Sequence, residues 1–208
     1  MTARPISSDQ AKRLMQRATN AAVSIALVLI VLKLAAWLIT DSVSLLSSLA
    51  DSAMDALASL VNLFAVRHAL QPADSEHRFG HGKAEPLAGL GQAAFISASG
   101  IYLIFEAIGR LIEPRAIEQG AFGLGVMMIS IAVTGALVAY QRSVVRRTDS
   151  LAIRADSVHY ATDILVNAGV IVSLLLVMFL DWGAADPIVA LIIAGFIIYS
   201  AFRIARPS

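Results

Sequence analysis

The chain contains no cysteine, which excludes disulfides and any metal site built on thiolates and leaves imidazole and carboxylate as the available metal ligands. It is also poor in charge. Only 15% of its 208 residues are Asp, Glu, Lys or Arg against 58% hydrophobic, too little polar surface for an ordinary soluble domain of this size. A net charge of only +1 gives no ground for a nucleic-acid partner, and none is expected. No His-Glu-x-x-His motif occurs, so the signature of an intramembrane metalloprotease is missing. Continuous apolar runs such as Val126 to Val138 lack the alternation of a barrel strand, and no long internal repeat is present.

What is present is hydrophobic length. Apolar segments run over roughly 18–39, 43–70, 86–111, 120–144, 151–180 and 186–204, each long enough to cross a bilayer whose core takes ~20 helical residues. Only helices or closed barrels satisfy every backbone group in lipid, so the expected fold is an all-α membrane protein, a bundle of six transmembrane helices forming one domain over 1–208. The run from Ala18 is too long for the apolar region of a signal peptide and reads as a retained first span.

Sidedness follows from Lys and Arg. The N-terminal arm carries Arg4, Lys12, Arg13 and Arg17, the second connection Arg67, Arg78 and Lys83, the fourth Arg142, Arg146, Arg147 and Arg154, and the tail Arg203 and Arg206. The opposite side has only Arg110 and Arg115, beside Asp41, Glu113, Glu118, Asp181 and Asp186. By the positive-inside rule both termini are expected in the cytoplasm. Lys33 alone among 16 basic residues lies well inside a span; it can neutralise a buried acid, but the favoured reading is that its stem snorkels toward the outer interface near Trp37, and Glu106 likewise reads as a near-interface residue. Small residues on the third span (Gly89, Ala93, Ser97, Gly100) and the sixth (Ala190, Ala194, Ala201) suggest that these two pack together.

A charged side chain at the bilayer centre costs about 2.5 to 3.5 kcal/mol on insertion scales, so intramembrane acids call for a compensating role. Asp51 and Asp55 lie four residues apart on the second span, and His159 and Asp163 four apart on the fifth. On a helix positions i and i+4 share one face, so each pair projects together. Counted from their span ends, both pairs fall near mid-membrane. Facing one another they form a four-ligand site suited to Zn2+, with Cd2+, Fe2+, Co2+ and Mn2+ also compatible. Metal needs deprotonated ligands, so a bound ion competes with protons, and His159, whose imidazole ordinarily titrates near neutrality, is the expected carrier of the coupling proton. The bland alternative for the four residues is an intramembrane ion-pair network.

These pairs resemble those of the cation diffusion facilitator family. Ser47 to Asp55 (SSLADSAMD), Gln71 to Glu85 (QPADSEHRFGHGKAE) and Arg154 to Asp163 (RADSVHYATD) are similar to its bacterial zinc and ferrous-iron efflux branch, and the likeness covers essentially the whole chain. The resemblance implies an alternating-access exporter, usually a homodimer in the bacterial inner membrane, moving Zn2+ or a similar ion out against inward proton flow. Asp51, Asp55, His159 and Asp163 would form the transport site. A second family site maps onto Asp74, His77 and His81; from the residues alone, three ligands in a short loop with Gly80 and Gly82 can hold a metal or be a solvated loop. The resemblance also implies that Lys83 pairs with an acid after the sixth span to brace the dimer, but no acid follows Asp186 here. The chain ends about where the family's cytoplasmic α/β module begins, and that module is absent from the expected domain layout.

A non-transporting, metal-responsive scaffold or sensor is the alternative reading, separated from a transporter only by flux. A passive channel fits less well, because four-ligand coordination holds an ion too tightly for conduction.

Overall fold

The computed structural model describes residues 7–40, 43–72, 78, 80–113, 121–180 and 184–206. Among these, all regular structure is helical: α1 Ser8–Thr40, α2 Val43–Ala69, α3 Ala84–Ile112, α4 Ala121–Thr148, α5 Leu151–Leu180 and α6 Ala185–Ala205. Five helices are long and apolar enough to cross a membrane among the described residues, namely α1, Ser48–Ala69 within α2, α3, Phe122–Thr148 within α4 and Pro187–Ala205 within α6. The 30-residue α5 carries Arg154, Asp156, His159 and Asp163 in its first half.

Two helices are longer than the hydrophobic runs predict. α1 starts at Ser8 rather than near Ala18, because a capping box opens it: Ser7 N–H donates to Gln10 Oε1 at 3.2 Å and Gln10 N–H to Ser7 Oγ at 3.3 Å. α4 likewise continues to Thr148 through Arg142, Arg146 and Arg147. Hydropathy detects the part of a helix that lies in lipid, whereas polar residues of good helix propensity carry it further into water.

The sorting of side chains is that of a membrane protein. Large apolar groups such as Val31, Leu38, Ile39, Phe105, Phe179 and Ile192 face outward, while the interior is built on Ala18, Ala22, Ala26 and Ala36 and on polar Thr19, Ser52, Ser59, Asn62, Gln92 and Gln141. Without a hydrophobic drive between helices in lipid, close approach and interhelical hydrogen bonds hold the bundle.

α3 packs chiefly on α6, as the small residues predict. A Cβ at Gly100 would meet Ile197 Cγ2 and Ile198 Cγ1 at 2.9 Å, so glycine is what lets the helices approach. Ala93, Ile96, Ile197, Ala201 and Ile204 fill the seam, joined by Ala155 of α5. α1 pairs with α2, α4 packs on α1 and α5, and α5 alone touches all five other helices.

α5 is held in register by polar anchors. Its start follows a turn in which Asp149 adopts a left-handed φ of 52°, and Ser150 caps it by accepting Ile153 N–H at 3.3 Å while donating to the Glu85 carboxylate of α3. One step past His159, the buried Tyr160 hydroxyl shares a 2.7 Å hydrogen bond with Ser59 of α2 and reaches the Ala22 carbonyl of α1 at 3.5 Å. These bonds set the rotation of α5 and with it the direction of His159.

Candidate metal centre

Asp55 lies near the middle of α2 and faces His159 and Asp163 across the bundle. One ligand atom from each of the three lies within 4.8 Å of the others. His159 Nε2 stands 3.2 Å from Asp55 Oδ1 and 3.8 Å from Asp163 Oδ2. Donors bound at about 2.0 to 2.2 Å around a tetrahedral zinc stand about 3.3 to 3.6 Å from one another, so the two spacings from His159 Nε2 lie close to those of ligands sharing an ion.

His159 Nε2 and Asp163 Oδ2 are both buried and, among the described residues, neither has an aligned hydrogen-bond partner. Three atoms bearing lone pairs thus converge in a shielded place. A positive charge is required to reconcile them, and either a proton on Nε2 or a metal ion between the three can supply it, each excluding the other. The imidazole is braced from outside: the Phe95 ring of α3 meets it edge to face at a centroid distance of 5.3 Å, and the Tyr160 ring lies at 5.5 Å. Asp163 is anchored through its backbone, whose carbonyl accepts Asn167 Nδ2 at 2.7 Å.

The three groups open on a cavity of about 570 Å³ between α2, α3 and α5, which Asp51, Phe95 and Asn167 also line. Asp51, one turn before Asp55, is on this cavity wall but outside the close cluster, and its side chain is exposed. Of the four ligands expected from sequence, the fold therefore brings three together and holds the fourth beside them.

Lys33 is not where the sequence places it. Instead of reaching outward it is buried, with Nζ donating to Ser52 Oγ at 2.6 Å and to the Ser48 carbonyl at 3.1 Å, and it lines the same cavity as the carboxylates. The reason is local: Ser48 and Ser52 of α2 offer two oxygens inside the bundle, so the ammonium is satisfied there and does not need the interface. Glu106 forms an i,i+4 pair with Arg110 at 3.0 Å, both side chains partly exposed.

A second buried carboxylate was not singled out from sequence. Asp156, two turns before Asp163 on α5, accepts Gln141 Nε2 of α4 at 2.6 Å and Gln92 Nε2 of α3 at 3.2 Å. Its position three before His159 and seven before Asp163 was the available signal.

In the connection between α2 and α3, Asp74 and His77 lie outside the described residues. His81 is buried and its ring meets that of His68, at the end of α2, edge to face at 4.5 Å. Gly80 takes a φ of 77°, so the turn does use the conformational freedom of glycine there.

The profile of the cation efflux transmembrane domain matches residues 20–208. The cation-efflux pump FieF of Salmonella arizonae is 47% identical over 191 residues, covering 92% of this chain and 63% of the relative. The cation-efflux pump FieF of Pectobacterium carotovorum is 48% identical over 194 residues, again covering 92% and 63%. The chain spans 63% of the length of each of these relatives, less than two thirds.

Proposed function

This chain belongs to the cation efflux family, whose members are transporters and not enzymes, and we propose that it exports a divalent metal ion, Zn2+ first among the candidates, by alternating access coupled to inward proton flow. It is a multi-pass protein of the bacterial inner membrane. The observation that carries the proposal is the convergence of Asp55, His159 and Asp163 within 4.8 Å near the middle of α2 and α5, with His159 Nε2 and Asp163 Oδ2 lacking aligned hydrogen bonds. Asp51 completes the coordination as the fourth ligand, swinging in from the wall of the shared cavity.

The antiport follows from the same atoms. A proton and a metal ion compete for Nε2 and for the carboxylate oxygens, so loading on one side releases protons and protonation on the other releases metal. The arrangement counts six spans, α5 included, with both termini in the cytoplasm as the basic flanks indicate. The assembly is a homodimer. Asp74, His77 and His81 form a secondary metal site that recruits or regulates and does not itself transport.

The test is flux. In liposomes loaded with a zinc dye and a pH dye, the wild-type chain should move zinc against an opposing proton movement, and Asp51→Ala should abolish both. Metal binding without flux in the wild type would favour a metal-responsive scaffold, and unchanged flux in the variant would refute the assignment of Asp51.

A further inference from the structure

Lys33 brings a basic group to a site that collects positive charge. Its ammonium is buried, two of its three N–H groups are taken by Ser52 Oγ and the Ser48 carbonyl, and it shares the 570 Å³ cavity with Asp51, Asp55, His159 and Asp163. Among the described residues no carboxylate lies within ion-pair distance of Nζ, yet Asp51, Asp55 and Asp163 line the same cavity as the ammonium. The stem is long and flexible, and α1, which carries it, contributes no other group to the cavity.

We propose that Lys33 is a tethered cation that competes with the transported metal for the carboxylates of the α2–α5 site and so lowers metal affinity to a level from which the ion can leave. This rests on the reading of that site as the transport site. Two positive charges that share one cavity shielded from water repel more strongly than they would in bulk water. Three carboxylates and an imidazole with no counter-charge would bind a divalent ion very tightly, and a carrier that cannot release its cargo does not turn over. Ser48 and Ser52 hold the ammonium back from the carboxylates, so the strength of the competition is set by how firmly α2 tethers it.

The tether gives the proposal two arms of opposite sign. Metal affinity is measured on the full chain in detergent by competition with a chromogenic zinc chelator at pH 8, where protons compete least. Lys33→Met, which keeps the stem and removes the charge, should bind zinc roughly tenfold more tightly, and Lys33→Arg should stay near wild type. Ser52→Ala, which frees Nζ to approach the carboxylates, should bind severalfold more weakly. A substitution that merely loosens the bundle weakens binding, so a gain in affinity is not explained by structural damage. Equal or weaker binding by a folded Lys33→Met chain overturns the proposal, and if that variant does not fold, unchanged binding by Ser52→Ala overturns it. Asp163→Ala serves as the reference: binding that survives it sinks the site reading and Lys33 with it. Loss of binding in Asp163→Ala alongside no change in Lys33→Met sinks the role of Lys33 alone.

Discussion

Asp156 and Asp163 are carboxylates on one stripe of one helix, two turns apart, and their surroundings could hardly differ more. Asp156 is fully buried and its two oxygens are taken by amide donors from two neighbouring helices, Gln141 and Gln92. Asp163 keeps Oδ2 shielded and without a hydrogen bond, facing an imidazole nitrogen at 3.8 Å and, within the same cluster, a second carboxylate. Burial alone therefore does not mark a ligand. A buried acid answered by neutral donors is a fixed joint between helices, whereas one facing other acceptors is incomplete without a cation.

The contrast breaks first at Asp163. Asp163→Ala should lower zinc affinity by at least about a hundredfold, while its melting temperature in detergent stays near wild type because Oδ2 has no hydrogen bond to lose among the described residues; a titration and a melt on the same sample read both. Asp156→Ala should do the reverse. Leaving two buried amides without their acceptor should cost about 2 to 3 kcal/mol of stability, with zinc affinity within about threefold of wild type. If Asp156→Ala abolishes metal binding at unchanged stability, the distinction between the two carboxylates is wrong. A finer cut comes from His159→Asp, which keeps a ligand but exchanges nitrogen for oxygen. It should shift the ratio of zinc to manganese affinity toward manganese, about tenfold, as measured by competition between the two ions. The smallest effect belongs to Gln92→Ala: its 3.2 Å bond to Asp156 is longer than the 2.6 Å bond from Gln141, so its loss should cost about 1 kcal/mol, less than Gln141→Ala.

The same contrast explains what was legible in the sequence. Asp55, His159 and Asp163 were visible because charge inside an apolar run is conspicuous and four-residue spacing fixes a shared face. The α3–α6 seam was visible because small residues repeat along both helices. Asp156 is no less charged, but its partners Gln92 and Gln141 come from other helices and are unremarkable one at a time; only the packing shows that they converge. Lys33 failed for a related reason. Snorkelling follows from the length of a side chain, while the oxygens that keep this one inside belong to α2 and to the way α1 lies against it. The polar starts and ends of α1 and α4 were missed because hydropathy says where lipid begins and not where a helix stops.

The joint at Asp156 also has a mechanical meaning. Seven residues of helix put Asp163 about 10 Å along the axis from a point clamped by both α3 and α4. With that clamp as a fulcrum, a tilt of α5 by about 10° would carry the Asp163 end through about 2 Å, as long as a whole metal–ligand bond. The distance between gripping an ion and letting it go is thus within reach of a small rocking of one helix, geared by where its pivot lies.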